Sequence, residues 1–184
     1  MKRANLLSVL VLLALTACGG EGAVQAADEA VKALKNRDMQ AFSRLVHPVK
    51  GVRFAPYANL DLEKNKAYTA AEIKSALRCS KRQLWGEHDG SGAPIKLSFR
   101  RYLDAFVYDR DFAGVTPILN SDPPRVSATL NNARNLYPFA AIVNYHIPGT
   151  EKNNFMDFRT LRLILEKHEG AWYVVHVAHD QWTI

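Results

Sequence analysis

The chain has 184 residues, 48% hydrophobic and 23% charged, the composition of one globular domain and not of a disordered chain. Its formal charge is +6. Beyond Lys2-Arg3, however, the basic residues are scattered, with only Lys81-Arg82 and Arg100-Arg101 adjacent, so the clustered basic face needed for nucleic acid is missing and no nucleic-acid partner is expected.

The apolar run from Leu6 to Leu15 follows a basic start and ends in small residues. It is too short to span a bilayer and reads as a secretory signal. Leu15-Thr16-Ala17-Cys18 resembles the bacterial lipobox. The resemblance implies that residues 1–17 are a signal peptide and that Cys18 is the lipidated first residue of the mature chain. Each buried CH₂ adds about 0.8 kcal/mol of membrane affinity, so two or three acyl chains hold stably. Gly19 follows the cysteine, where Asp would favour inner-membrane retention. In a Gram-negative cell this implies an outer-membrane position facing the periplasm. Gly19, Gly20 and Gly22 read as a flexible tether over 18–22. Residues 23–184 are then a single domain.

Val24, Ala27, Val31 and Leu34 have helical spacing, which predicts a helix over 23–36. Asp38 is an N-cap candidate for a second helix over 39–46. The run 50–58 reads as a short strand ending near Pro56. Thr69 and Glu72 form a capping box for a helix to about Leu77. Arg82–His88 and Pro94–Leu97 read as strands joined by a turn at 88–92. Ser98 caps a helix that lines Phe99, Tyr102, Leu103, Phe106 and Val107 on one face. A strand is predicted over 111–119, a polar loop over 120–135 and a strand over 137–147.

The chain ends in its strongest signal, two β-rich runs around His168-Glu169-Gly170, a hairpin with a three-residue turn. Alternation places Leu161, Leu163 and Leu165 on one face with Asp157 and Arg159. Apolar residues on both faces predict central strands. In the last strand, alternation puts Trp172, Val174, His176, Asp180 and Trp182 on one face.

This order of helices followed by antiparallel strands predicts an α+β fold. It resembles the NTF2-like (cystatin-like) cone, a curved antiparallel sheet packed on N-terminal helices. The strings VHPVKGVRFAPYA (46–58), WGEHDGSGAPI (85–95) and HDQWTI (179–184) also resemble a group of uncharacterised secreted bacterial lipoproteins. That resemblance supports fold and location and supplies no catalytic residue.

The six histidines include no His-x-x-x-His pair, and no metal site or cofactor is expected. Cys79 has basic neighbours but no nearby histidine in sequence, and is expected to be a buried structural thiol. DGSG at 89–92 lacks the lysine and helix of a phosphate-binding loop. The candidate site is the cavity of the cone, with Arg53, Trp85, Tyr102, Asp157, Arg159, His176, Asp180 and Trp182 around it. Asp157 and Arg159 are expected to pair with each other or with a neighbouring strand near the rim, and no residue is assigned as catalytic.

The leading expectation is a lipid-anchored, non-enzymatic envelope module that binds a small molecule or an envelope protein. The alternatives are a pocket enzyme of isomerase or dehydratase type, with Asp180 or Asp157 as general base, and a purely structural accessory protein. A cavity filled by Trp and Phe favours the structural reading. A deep pocket with an unpaired carboxylate favours the enzyme. Paired charges at a mouth favour the binder.

Overall fold

The computed structural model describes residues 18–124 and 130–183. Residues 1–17, expected to be a signal peptide, lie outside the described residues. Among the described residues no helix is long and apolar enough to cross a membrane.

Helices α1 (Cys18–Lys35) and α2 (Met39–Arg44) come first. The Asp38 carboxylate accepts the Ala41 N–H at 2.8 Å, which supplies the predicted cap. The tether expected over 18–22 is instead the first turn of α1. Its glycines are close-approach residues. A Cβ on Gly20 would lie 3.1 Å from the Leu119 side chain, and one on Gly22 would lie 3.3 Å from the Trp172 ring. Ala23 follows, fully buried. Packing therefore carries the helix through residues whose intrinsic helix propensity is poor.

Strand β1 (Val52–Ala55) leads to a short β2 (Lys66–Tyr68) that sequence patterning missed. Thr69 and Glu72 form the expected capping box of α3 (Ala70–Ser75), which ends in one 3₁₀ turn. Cys79 follows that turn and is exposed, not buried as expected, because the chain leaves the core there for the next loop. The hairpin β3 (Gln83–Glu87) and β4 (Pro94–Leu97) pairs only with itself. Ser98 caps α4 (Phe99–Phe106), whose Phe99, Tyr102, Leu103 and Phe106 are buried as the spacing predicts.

The strand expected over 111–119 shrinks to β5 (Ile118–Leu119). A 3₁₀ turn at Phe112–Gly114 sinks Phe112 into the core, and Pro117 has no N–H for a ladder. The loop over 120–135 runs into a one-turn helix, α5 (Ala133–Leu136); residues 125–129 lie outside the described residues. Then come β6 (Ala141–Ile147), β7 (Arg159–His168) and β8 (Ala171–Gln181). The β7–β8 turn has two residues, not three: His168 pairs with Ala171, with Glu169 and Gly170 both at positive φ.

The six-stranded sheet has the order β2-β1-β8-β7-β6-β5. All neighbours are antiparallel except β1 and β8. The fold is α+β, a curved sheet with helices packed on it, in the arrangement expected of the NTF2-like cone. Leu161, Leu163 and Leu165 join α1, α2 and α4 in the main core. Ile164, Val175 and Ala178 join Ala133 and Tyr137 in a second core on the opposite face. Central strands covered on both sides are what the apolar runs predict.

A bulge breaks the alternation expected for β8. Ile164 faces His176, but Leu165 faces Val174, so Val175 is the extra residue. Val174 and Val177 therefore face the helices, while His176, Ala178 and Asp180 face the second core. The side-chain period of two makes a one-residue insertion flip everything beyond it.

Candidate functional site

The eight expected pocket residues separate into three places. Trp85 and Tyr102 fill the interior of the cone. Their rings stack 3.7 Å apart at 8°, and Trp85 Nε1 donates to the Leu97 carbonyl at 2.9 Å. Phe54 meets Trp85, Phe99 and Tyr102 edge-on, and Phe106 stacks on Tyr102. These are packing geometries of a solid aromatic core. Burial raises the Tyr102 hydroxyl far above its ordinary pKa.

Arg53 and His176 are neighbours on the second face, in register across β1 and β8. Arg53 donates to the Asn65 carbonyl at 3.1 Å, and the Tyr137 hydroxyl lies 3.2 Å from His176 Nδ1. Burial, assisted by the Arg53 charge, pushes the His176 pKa down to about 3. Asp180 lies on that face too, fully buried, with its carboxylate 4.0 Å from buried Arg162, which also reaches Asp122 at 3.4 Å.

Asp157, Arg159 and Trp182 do come together, on an open groove of about 620 Å³ that also includes Met156 and Gln181. The expected pairing of Asp157 with Arg159 is absent. Arg159 Nε donates to Asp109 Oδ2 at 2.9 Å, and the other oxygen of Asp109 accepts from His179 Nε2 at 3.1 Å. Burial raises the Asp109 carboxyl, but the hydrogen bond and charge of His179 and the Arg159 guanidinium outweigh it. The pKa lies below the ordinary value. Asp109 was missed because it follows α4 in a turn, 50 residues before its partner.

Asp157 instead ties down the loop before β7. It accepts from the Thr150 backbone and hydroxyl at 2.6 and 2.9 Å and from Asn153 Nδ2 at 2.8 Å. The Thr150 N–H and then the Asn153 amide hold its carboxyl down at about 2. The loop spends that rigidity on an unusual backbone. Asn154 and Phe155 both have left-handed φ, 49° and 60°, a conformation rare for a bulky side chain. Such strain costs about 1–3 kcal/mol per residue and persists where surrounding bonds over-determine it. The result is an aromatic ring held in solvent: Phe155 is 51% exposed, next in the chain to Met156 at 36%, while Trp182 in the groove is 37% exposed.

No family model matches the chain, and no curated protein matches it. Solved structures are similar to it at low identity. One is an NTF-2-like protein of unknown function from Shewanella oneidensis MR-1, 11% identical, with a TM-score of 0.38 over 88% of this chain and 98% of that one. Another is a candidate calcium/calmodulin-dependent protein kinase II association domain from Xanthomonas campestris, 15% identical, with a TM-score of 0.36 over 92% of each chain.

Proposed function

We propose that the mature chain is a lipid-anchored extracytoplasmic module that binds a protein partner of the cell envelope at the open groove. The observation that carries this is a contrast. Trp85, Tyr102, Phe54 and Phe99 fill the interior, whereas Met156 and Trp182 are held exposed in the lining of one groove, with exposed Phe155 adjoining Met156 in the chain. Small-molecule sites are concave and enclose most of their ligand. Aromatic residues, Met and Arg at an open surface are the composition of protein interface centres. The lipobox supports attachment through Cys18, and the strings at 46–58, 85–95 and 179–184 support membership of a group of secreted lipoproteins.

The enzyme reading has less support. A general base needs a carboxylate raised toward the working pH. Asp157 at the groove and Asp109, the partner of the groove's Arg159, are both shifted down, and Asp180 is on the far face of the sheet.

The test is photo-crosslinking in the cell. A photoreactive phenylalanine analogue replaces Met156 or Trp182 in the full chain, with Leu84, 56% exposed on the other hairpin, as control. The expected result is one discrete protein adduct from positions 156 and 182 and none from 84. Phe155→Asp should abolish the adduct without lowering Tm, since the ring is exposed. Adducts of equal yield from all three positions, or none from 156 and 182, would contradict the proposal.

A further inference from the structure

We infer that the groove takes an acidic segment of its protein partner, seating an Asp or Glu side chain on Lys152 and Arg159 with an apolar neighbour against Met156 and Trp182; this rests on the groove being the docking surface. These four residues line it together with Asp157. Its polar groups divide into those already bonded within the chain and those left over.

The negative groups are used. Asp157, the carboxylate of the lining, accepts from the Thr150 N–H and hydroxyl and from the Asn153 amide. Asp109, behind Arg159, accepts from Arg159 on one oxygen and from His179 on the other. Glu151 lies outside the lining. The backbone donors of the loop are used too. The N–H groups of Asn153, Asn154, Phe155 and Met156 all donate to carbonyls within residues 150–153. No nest of free N–H groups is therefore left there of the kind that captures a chain-terminal carboxylate.

The positive groups are not used up. Lys152 is exposed and makes no hydrogen bond or ion pair among the described residues. Arg159 spends Nε on Asp109 at 2.9 Å and Nη1 on the Phe158 carbonyl at 2.8 Å. Its Nη2 has no partner among the described residues, in a side chain 21% exposed. Arg110, 3.9 Å from Asp109, adds a third cation against two carboxylates. A guanidinium edge and an ammonium are the donors that suit a carboxylate, and hydrogen bonds between charged groups are the strong ones. Arg159 stands opposite Gln181 in the β7–β8 register, and Trp182 is the next residue, so the free cationic donors adjoin the exposed apolar surface of Trp182 and Met156. An acidic residue next to an apolar one matches both. A basic segment would meet like charge and no free carboxylate, which is costly at an interface. Because the free donors are side chains and not backbone, the carboxylate they fit is a side chain within the partner's sequence.

The test is photo-crosslinking in cells, with a photoreactive phenylalanine analogue replacing Met156 in the full chain. It is run as such and with Lys152→Glu, Lys152→Arg, Arg159→Lys or, as a control of equal charge change, Lys74→Glu on exposed α3. The expected result is a several-fold lower yield of the protein adduct in Lys152→Glu, and an unchanged yield in Lys152→Arg and Lys74→Glu. Arg159→Lys keeps a cation for Asp109, gives up the free Nη2 and should also lower the yield. Lys152 is exposed, so its variants decide the matter even where Arg159→Lys fails to fold. Mass spectrometry of the adduct should find an Asp or Glu beside an apolar residue in the crosslinked peptide, and changing that acidic residue to Lys in the partner should restore the adduct to Lys152→Glu. An adduct that Lys152→Glu leaves unchanged, or a crosslinked peptide without an acidic residue, would overturn the inference and leave the groove as the docking surface. An adduct to a phospholipid in place of a protein, or no adduct in any variant, would overturn the inference and the docking reading together.

Discussion

Deleting residues 172–184 is expected to leave a chain with no cooperative unfolding transition. β8 lies between β1 and β7 and holds the sheet's only parallel junction among the described residues. The deletion removes three buried valines, at 174, 175 and 177, each worth roughly 1.5–3 kcal/mol of burial. It also strands buried Arg162 without Asp180 and Asp109 without His179. Breaking one side of a buried ion pair costs about 3–5 kcal/mol, while whole domains are stable by only about 5–15 kcal/mol. Circular dichroism with thermal scanning measures it. A truncated chain that still melts sharply would mean that the sheet does not depend on β8.

The second large effect is an acid sensitivity centred on His176. In the fold its pKa is about 3, against an ordinary 6.5. The unfolded chain therefore takes up a proton as pH falls through 6.5, and the folded chain does not until pH approaches 3. The stabilisation is complete above pH 6.5 and shrinks as pH falls, by up to about 1.4 kcal/mol per unit. Between pH 7 and pH 4 the loss from this residue is about 3 kcal/mol. His47 and His146 are shifted in the same direction, chiefly by burial, and steepen the curve. Urea unfolding at pH 7, 5.5 and 4 gives the slope. His176→Gln, which has no proton to take up, should flatten it by close to one proton. An unchanged slope would show that His176 titrates normally.

Local chemistry was the most legible part of the sequence. Asp38, Thr69 with Glu72, and Ser98 cap helices where their side chains predict, because a cap is decided within three or four residues. The apolar runs on both sides of residues 168–170 announced central strands for the same local reason. Long-range packing was not legible. Gly20 and Gly22 read as a tether because glycine in isolation favours flexibility; Leu119 and Trp172, about 100 and 150 residues on, make them helical. The bulge at Val175 split His176 and Asp180 from Trp172 and Val174, and no alternation rule contains it.

The groove was half legible. Asp157, Arg159 and Trp182 belong to it, but Arg159 takes Asp109 as its partner and Asp157 serves the loop. The exposed ring of Phe155 depends on two consecutive left-handed residues, which no propensity at Asn154 or Phe155 foretells. Trp85 and Tyr102, read as pocket walls, are the filling. A large aromatic residue at helical or strand spacing marks a core position, and spacing alone does not say whether the core is hollow.

Native mass spectrometry of the full chain purified from cells tests most directly whether the cone is closed and the groove is what binds. The expected spectrum contains the polypeptide with its acyl groups, alone or with one further polypeptide whose signal disappears in Phe155→Asp. A stoichiometric small molecule retained by the wild type and lost in Trp85→Ala would contradict it, since that ligand would have to occupy the space the aromatic side chains fill.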